Sequence, residues 1–195
     1  MNFLAHVFLS GVDEQLILGN LIADAVKGKQ FENYDLKVKN GIIMHRQIDK
    51  FTDDHAIVRQ SKKRLEEDYK KFAGIIVDIY YDHFLSLNFN KYSKIDLNTI
   101  SHNAYQILIR NYDILPPTSK RILPYMVNHN WLVNYADLDF LKRVFHGMSR
   151  RTKFNSGMET AVDALKKDYL LYEEEFMEFF PQLTTYSEKL VRGLL

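Results

Sequence analysis

Two groups of acidic and histidine side chains have a spacing that brings side chains together on one face of a helix. His45 and Asp49 are four positions apart, and Asp78 and Asp82 repeat that spacing, with His83 next in the chain. Side chains at i and i+4 lie one helical turn apart on the same face. Two carboxylates held that close repel each other and raise each other's pKa unless a cation lies nearby. The pattern therefore indicates a cation site.

Two further residues could contribute to the same site. Asp24 continues an apolar stripe, at i+3 from Leu21 and i+7 from Ile17, so we expect its carboxylate to point inward near the end of a helix. A lone buried carboxylate is costly and needs a metal, an arginine or several hydrogen-bond donors. His6 adds another imidazole near the start of the chain.

Each of these groups also has a purely structural interpretation. His45 and Asp49 could form an ordinary surface ion pair, Asp78 and Asp82 could face solvent, and His6 could be a hydrogen-bonded core histidine. Several such groups on separate helices of one small chain favour the metal interpretation. Imidazole and carboxylate ligands suit Mn, Mg, Fe or Zn, so the sequence predicts the divalent metal centre of a hydrolase.

The elements that must position these residues are predicted to be helices. All four prolines lie beyond residue 115, apolar residues recur at helical spacing, and no alternating strand pattern is present. We predict helices over 13–28, 35–50, 54–69, 70–88, 96–112, 117–133, 138–150 and 157–192. Pro181 should kink or break the last one after Phe180. The expected fold is an all-α bundle of about eight helices in a single domain, 1–195.

Composition excludes several classes of protein. The 195 residues contain no cysteine, which rules out disulfides, thiolate-bound metals and a thiol nucleophile. A net charge of +1 is too small for a general nucleic-acid binder. Apolar stretches are too short to cross a bilayer, and the first residues lack the basic start of a signal peptide. We therefore expect a cytoplasmic protein whose partners include neither nucleic acid nor membrane.

Other kinds of active site have no sequence support. There is no glycine-rich phosphate loop, no Gly-x-Ser-x-Gly elbow and no His-Glu-x-x-His helix. His129 has no acidic partner at helical spacing, so we interpret it as structural or exposed. Trp131 is expected to be a core residue.

An ordered series of short motifs runs through nearly the whole chain. It comprises NFLAH at 2–6, GN at 19–20, AD at 23–24, GI at 41–42, MHR at 44–46, ID at 48–49, TD at 52–53, Asp78, DHFL at 82–85, PYM at 124–126, WL at 131–132, GM at 147–148, RR at 150–151 and FPQL at 180–183. This series resembles the acyl carrier protein phosphodiesterase family, the bacterial holo-acyl-carrier-protein hydrolases. That family is regarded as a divergent branch of the HD-domain metal phosphohydrolases.

The resemblance implies an HD-domain-like helical fold and a Mn-dependent reaction, with Mg or Fe as other possible metals. The family hydrolyses the phosphodiester between 4′-phosphopantetheine and a serine of holo-acyl carrier protein, which gives apo-acyl carrier protein and free 4′-phosphopantetheine. In HD-type enzymes a His and a neighbouring His-Asp pair bind the metal. Here the local order is reversed, Asp82 before His83, so the individual ligands are not assigned by analogy.

We predict the site from these residues as follows. The predicted catalytic residues are Asp24, His45, Asp49, Asp78, Asp82 and His83, and the predicted metal ligands are His6, Asp24, His45, Asp78, Asp82 and His83. Asp49 could alternatively orient His45 or accept a proton from the attacking water. Arg46 is close enough along the chain to contact the phosphate.

The basic residues are unevenly distributed along the chain. Residues 141–167 hold seven basic side chains against two acidic ones, and residues 168–195 hold two against six. These segments could simply be solvated helix faces. The basic one could instead bind the acidic carrier protein, and the predicted substrate-binding residues are Arg46, Arg143, Arg150, Arg151 and Lys153, with a second basic patch at Lys62, Lys63 and Arg64.

Two other functions remain open at this stage. A related HD-type enzyme could use the same residues on a nucleotide or another small phosphate ester. A non-catalytic helical adaptor could use them as structural ion pairs. Release of 4′-phosphopantetheine and metal analysis of the purified protein would distinguish these cases.

Overall fold

A computed structural model describes residues 1–194, which are helical and contain no β-strand. The helices are α1 (Phe3–Leu9), α2 (Glu14–Ile22), α3 (Leu36–Asp54), α4 (Ala56–Tyr69), α5 (Ala73–Leu87), α6 (Phe89–Tyr92), α7 (Leu97–Arg110), α8 (Pro117–Asn128), α9 (Trp131–Asn134), α10 (Leu138–Ser149), α11 (Ala161–Lys167) and α12 (Tyr169–Leu194). Short 3₁₀ turns connect some of them, including Ala23–Ala25 after α2. The predicted all-α class is confirmed.

The chain differs from the sequence prediction at both ends and also at the predicted helix 117–133, which is interrupted between Asn128 and Trp131. Helix α1 was not predicted, and the last predicted helix is divided at Asp168 into α11 and α12. The break expected at Pro181 is wrong, because α12 continues through it. Phe179, Phe180 and Leu183 flank the proline and are completely buried. Their packing against the core compensates for the backbone hydrogen bond that the proline cannot make.

Helix α5 lies at the centre of the bundle. Nearly all of its side chains from Ile76 to Ser86 are buried, and it packs against α1, α4, α9 and α12. Helix α12 covers it with aromatic residues, since the Phe176 ring lies 5.7 Å from Tyr81 and 6.0 Å from Phe84. The buried hydrophobic side chains form one contiguous cluster. A helix that is apolar on all sides needs this central position.

Two glycines allow α2 and α3 to cross at very short range. A Cβ atom on Gly19 would lie 2.0 Å from the carbonyl oxygen of Val38, and one on Gly41 would lie 2.4 Å from that of Leu16. Only residues without a side chain can occupy these two positions. The crossing brings the end of α2 against the middle of α3, where His45 lies.

A buried ion pair holds α12 against α4. The guanidinium of Arg64 donates to both carboxylate oxygens of Glu175, at 2.6 and 3.1 Å, and the Ser61 hydroxyl donates to the same carboxylate. The bidentate arrangement satisfies a carboxylate that is only 9% exposed. No helix within residues 1–194 has the length and hydropathy needed to cross a membrane.

Candidate metal centre

Three of the predicted residues come together between α1 and α3. His6 of α1 and His45 and Asp49 of α3 each present a possible ligand atom, and these atoms lie within 4.8 Å of one another. The two imidazole rings are stacked, with centroids 4.0 Å apart. His45 Nε2 lies 3.0 Å from Asp49 Oδ2, as their i, i+4 spacing predicts. Two imidazoles and a carboxylate that converge on one point can bind a divalent cation.

His6 is the feature of this cluster that ordinary packing does not explain. Its side chain is 3% exposed, and His6 Nε2 lies 3.3 Å from Asp49 Oδ1. Neither ring nitrogen makes a well-directed hydrogen bond with any group in residues 1–194. Buried polar atoms are nearly always paired, so two unpaired nitrogens in one ring call for an explanation. A metal ion bound to Nε2 would satisfy one of these two nitrogens.

Asp24 lies at the edge of the cluster, in the 3₁₀ turn after α2. It was expected to point inward, but its side chain is 78% exposed. Its Oδ1 nevertheless lies 3.2 Å from His45 Nε2, on the same nitrogen that faces Asp49. The turn directs Asp24 across the mouth of the site, because α2 has already ended at Ile22. The cluster is therefore buried at His6 and open to solvent at Asp24.

The charges of the cluster follow from burial and from the two carboxylates. Burial lowers the pKa of His6, and the neighbouring charge of His45 lowers it further, so His6 is neutral. Burial alone would lower the pKa of His45, but contacts with Asp24 and Asp49 outweigh it and raise that pKa to about 9. Although burial opposes it, contact with His45 and His6 holds the pKa of Asp49 well below its usual range. The metal-free cluster thus contains one imidazolium between two carboxylates.

A fully buried asparagine fixes the orientation of His45. The Asn20 side-chain amide nitrogen donates to the backbone oxygen of His6, at 3.2 Å, and to Ser10 Oγ, at 2.8 Å. A carbonyl can only accept, so the amide oxygen must be the group that faces His45 Nδ1, at 3.1 Å. His45 Nδ1 therefore carries a hydrogen and donates it. The lone pair of neutral His45 is then left on Nε2, which faces the two carboxylates.

Neither Asn20 nor Ser10 was predicted. Asn20 is the only polar side chain in the apolar stretch from Leu16 to Ala23. A single amide in such a stretch is a signal of a buried hydrogen-bonding role. The signal is visible in the sequence, but its partner His45 is 25 residues away. Only the crossing of α2 and α3 brings the two residues together.

Asp78 lies beside the cluster. Its Oδ1 accepts a hydrogen bond of 2.9 Å from the α-amino group of Met1, which also lies 3.9 Å from Asp49 Oδ1. Burial would lower the pKa of that amino group, but Asp78 and Asp49 outweigh it and raise the pKa. The ammonium group thus balances the acidic charge expected from the Asp78 and Asp82 pair. Asp78 adjoins Asp49 through this shared contact.

Asp82 is occupied by the backbone of the first helix. Its carboxylate accepts hydrogen bonds from the backbone N–H groups of Asn2, Leu4 and Ala5, at 3.2, 2.7 and 3.4 Å. Burial raises the pKa of Asp82 to about 7, although the α-amino group of Met1 and these donors act in the opposite direction. The structure therefore places Asp82 at the N-terminus of α1, where a carboxylate satisfies unpaired N–H groups. It is outside the His6, His45 and Asp49 cluster.

His83 faces away from that cluster. Its Nδ1 lies 2.8 Å from the backbone oxygen of Tyr135, to which it donates, and its Nε2 lies 2.9 Å from the Tyr169 hydroxyl. Burial lowers its pKa, so it is a neutral imidazole with both nitrogens paired. The turn of about 100° per helical residue separates it from Asp82. Its hydrogen bonds connect α5 to α12 and to the residue after α9.

The predicted substrate-binding arginines lie on the surface. Arg46 donates to the backbone oxygens of Val26 and Gly28, at 3.1 and 3.0 Å, and its guanidinium lies 4.8 Å from the Phe31 ring centroid. These contacts tie α3 to the segment after Asp24 and leave one terminal nitrogen without a protein acceptor in residues 1–194. Arg46 is thus next to the site but directed along the surface.

The basic residues of 141–167 are also exposed. Arg143 and Arg150 line a surface depression of about 550 Å³ together with Lys142 and His146 and with the acidic residues Asp139 and Glu159. Arg151 and Lys153 follow after the end of α10. None of the four predicted residues, Arg143, Arg150, Arg151 and Lys153, lies within 4 Å of a carboxylate in residues 1–194. The second patch differs, because Lys62 pairs with Asp53 and Arg64 with Glu175.

Comparisons with known proteins identify the family of the chain. The family model for acyl carrier protein phosphodiesterase matches residues 1–183. A protein of that name from Photorhabdus laumondii is 34% identical over 189 residues, which covers 96% of each chain. A protein of the same name from Serratia proteamaculans is 30% identical over 94% of this chain and 95% of its own length. Another from Escherichia coli O157:H7 is 32% identical over 97% of this chain and 98% of its own length.

No solved structure matches the chain. The expected HD-domain-like arrangement therefore stays a prediction, and the family assignment rests on the sequence matches. A match over most of the chain, together with relatives of 30–34% identity over nearly their full length, shows that the chain belongs to the acyl carrier protein phosphodiesterase family of enzymes.

Proposed function

We propose that this protein hydrolyses the phosphodiester between 4′-phosphopantetheine and a serine of holo-acyl carrier protein. The products are apo-acyl carrier protein and free 4′-phosphopantetheine. The observation that supports a phosphodiesterase most directly is the buried cluster of His6, His45 and Asp49. Phosphoryl transfer requires a group that offsets charge on the phosphate, and a metal at this cluster would provide it.

The residues present fit a divalent metal. His6 is neutral and buried, and neither of its ring nitrogens makes a well-directed hydrogen bond with a group in residues 1–194. Asn20 leaves the Nε2 lone pair of neutral His45 directed into the cluster. Two nitrogen donors and one carboxylate favour a transition metal over Mg, which prefers oxygen ligands. Among these metals the family resemblance implies Mn, so we propose Mn, held by His6, His45 and Asp49, with Asp24 at the open side.

The chain's own residues would then act on the substrate as follows. A bound divalent cation supplies a Lewis acid that offsets phosphate charge and lowers the pKa of a water molecule. Asp24 is exposed beside the cluster, so its carboxylate can take the proton from the attacking water. The water oxygen bonds to phosphorus, the bond from phosphorus to the serine oxygen breaks, and the proton passes to that oxygen. His6, buried beneath, excludes water from the inner side of the site.

Asp78 would reduce the negative charge of the site by holding the α-amino group of Met1 in place. Its contact with the α-amino group of Met1 holds that cation beside Asp49, where it offsets the acidic charge that the phosphodiester approaches. Replacement by Ala should reduce turnover strongly and leave the helical circular-dichroism spectrum nearly intact. Full activity in that variant would contradict this assignment.

We propose that the carrier protein approaches over the exposed arginines. Arg143, Arg150, Arg151 and Lys153 are free of carboxylate partners in residues 1–194 and form a basic surface. An acidic protein would be attracted to it. Arg46, at the mouth of the site, would be the arginine nearest to the phosphate.

The reaction can be tested by mass spectrometry. Holo-acyl carrier protein incubated with the protein and Mn should lose the mass of the arm, and a chelator should stop the loss. His6→Ala should abolish the reaction and Mn binding together. His102→Ala is the matched control, since His102 is exposed on α7 and should retain both. Unchanged holo-carrier protein in the presence of each candidate metal would contradict the proposal.

A further inference from the structure

A second feature of the surface is a cavity formed by α8, α9 and the end of α10. It has a volume of about 450 Å³ and is lined by Arg121, Ile122, Tyr125, His129, Trp131 and Arg151. Trp131 was expected to be a core residue, but its side chain packs against the core only in part and forms part of the cavity wall. The lining contains no carboxylate.

The charged groups of this cavity lack acidic partners. Neither Arg121 nor Arg151 lies within 4 Å of a carboxylate in residues 1–194, and the Arg151 Nε donates only to the backbone oxygen of Gly147, at 2.9 Å. Arg110, by contrast, pairs with Glu14 at 2.9 Å. Two unpaired guanidinium groups beside one cavity create a site for an oxyanion.

The backbone holds the aromatic wall in place. Asn130 adopts a left-handed conformation with φ of 40° and ψ of 58°, which turns the chain between His129 and Trp131. The Asn134 side chain donates to the backbone oxygen of His129, at 2.7 Å. The left-handed conformation is costly for a residue other than glycine. This turn thus directs His129 and Trp131 to the same cavity.

The elements that form the cavity contact elements that carry residues of the metal centre. The Trp131 ring lies 6.4 Å from the ring of Phe3, on the helix that carries His6. Helix α8 packs against the turn Ala23–Ala25, which carries Asp24. Arg151 also connects the cavity to the basic end of α10. A protein substrate whose phosphate lies at the metal centre is large enough to contact this cavity as well.

We propose that the cavity binds a carboxylate-bearing segment of the protein substrate beside the modified serine. This inference rests on the proposed function. Beyond its phosphate, the 4′-phosphopantetheine arm carries only amide, hydroxyl and thiol groups, so it has no charge for two guanidinium groups to bind. Carboxylates of the protein pair bidentately with arginine, and Trp131 and Tyr125 offer apolar faces for the segment that carries them.

The single tryptophan of the chain allows a direct test, because Trp131 is part of the cavity. Titration with apo-acyl carrier protein, which lacks the arm and its phosphate, should change the Trp131 fluorescence saturably. The double variant R121Q/R151Q should weaken this binding about tenfold, in line with the loss of two charged contacts. Arg110→Gln is the matched control, since Arg110 lies on another face and should bind like the parent.

Kinetics separate binding from chemistry. R121Q/R151Q should raise KM for holo-acyl carrier protein about tenfold with little change in kcat, because the cavity holds the protein and not the reacting phosphate. Equal binding of apo-carrier protein by parent and double variant would overturn the proposal. A fluorescence response to inorganic phosphate or free 4′-phosphopantetheine, with none to apo-carrier protein, would also overturn it. Binding of apo-carrier protein without hydrolysis of holo-carrier protein would instead refute the proposed function alone.

Discussion

His45 is the residue that determines the electrostatics of the site. Asn20 holds its Nδ1, while its Nε2 faces Asp24 and Asp49 at 3.2 and 3.0 Å. In the metal-free protein, His45 Nε2 therefore carries a proton at the position that a metal ion would occupy. A cation that binds there must displace this proton, so metal binding and pH are linked.

The first prediction is that Mn binding releases close to one proton near neutral pH. The pKa of His45 is raised from 6.5 to about 9, so its Nε2 is protonated until the metal replaces the proton. Titration calorimetry in buffers of different ionisation enthalpy measures the number released. His45→Gln should release none and bind Mn weakly. Proton release by that variant equal to the parent's would contradict the assignment.

The same shift has a consequence for stability without metal. The pKa of His45 is about 9 in the folded protein and 6.5 in the unfolded chain. The stabilisation of the folded state by protonated His45 is therefore complete below pH 6.5 and is lost as the pH rises through 9. The maximum loss is about 3 kcal/mol. Urea unfolding of the metal-free protein at a series of pH values checks this prediction. Added Mn should remove most of the dependence.

The second prediction concerns Asn20. Asn20→Leu removes the acceptor of His45 Nδ1 at similar volume, and metal affinity should fall about 10–100-fold. Nitrogen-15 NMR of the Zn-loaded protein should show protonated Nδ1 in the parent, and this signature should be lost in the variant. Asn98→Leu is the matched control, because Asn98 is exposed on α7. An unchanged His45 spectrum in Asn20→Leu would show that Asn20 has no orienting role.

At the scale of the elements, the site depends on how closely helices approach. Helix α1 contributes His6, α3 contributes His45 and Asp49, and α2 contributes Asn20. Asp82 of α5 anchors the N-terminus of α1 through three backbone N–H groups and so places His6. The i, i+4 pattern of Asp78 and Asp82 was recognisable in the sequence. Their partners were not, because those partners belong to α1 and to the α-amino group of Met1.

The third prediction tests the α2–α3 crossing. Gly19→Ala places a Cβ 2.0 Å from the carbonyl oxygen of Val38, so the helices must separate and Asn20 must move away from His45. We expect a loss of about 3 kcal/mol, which lowers Tm by about 5–10 °C, together with weaker metal binding. Thermal unfolding followed by circular dichroism measures the first effect.

The control for this prediction is Gly193→Ala. Gly193 is helical, and a Cβ there would have no atom of residues 1–194 within 4 Å. Alanine favours helix over glycine, so this variant should be unchanged or slightly more stable. Equal stability of the two variants would show that the crossing tolerates a side chain.

For the whole molecule, the distribution of charge matters more than its sum. The net charge is +1, yet Arg143, Arg150 and Lys153 are exposed and have no carboxylate within 4 Å in residues 1–194. Arg151 extends this basic segment to the cavity formed by α8 and α9. One carboxylate of α12, that of Glu175, forms an ion pair with Arg64 within the protein. A nearly neutral protein can in this way present a basic face to an acidic partner.

The fourth prediction is that kcat/KM for holo-acyl carrier protein falls with ionic strength. Between about 50 and 500 mM salt we expect a loss of about tenfold, because exposed charges are screened beyond a few ångströms at high salt. Steady-state kinetics across the salt series measures it. R143Q/R150Q should show a shallower dependence. A kcat/KM that does not depend on salt would exclude electrostatic docking on this surface.

The sequence by itself determined the all-α class, the family and the types of residue that could bind a metal. Helical spacing shows in a sequence because side chains three or four residues apart share a face, and the i, i+4 pair His45 and Asp49 is of this kind. The tertiary structure alone decided which groups share the site. His6, Asn20 and Asp24 meet His45 only because glycines let α2 and α3 touch and because Asp82 fixes α1. These are contacts between residues 19 or more positions apart.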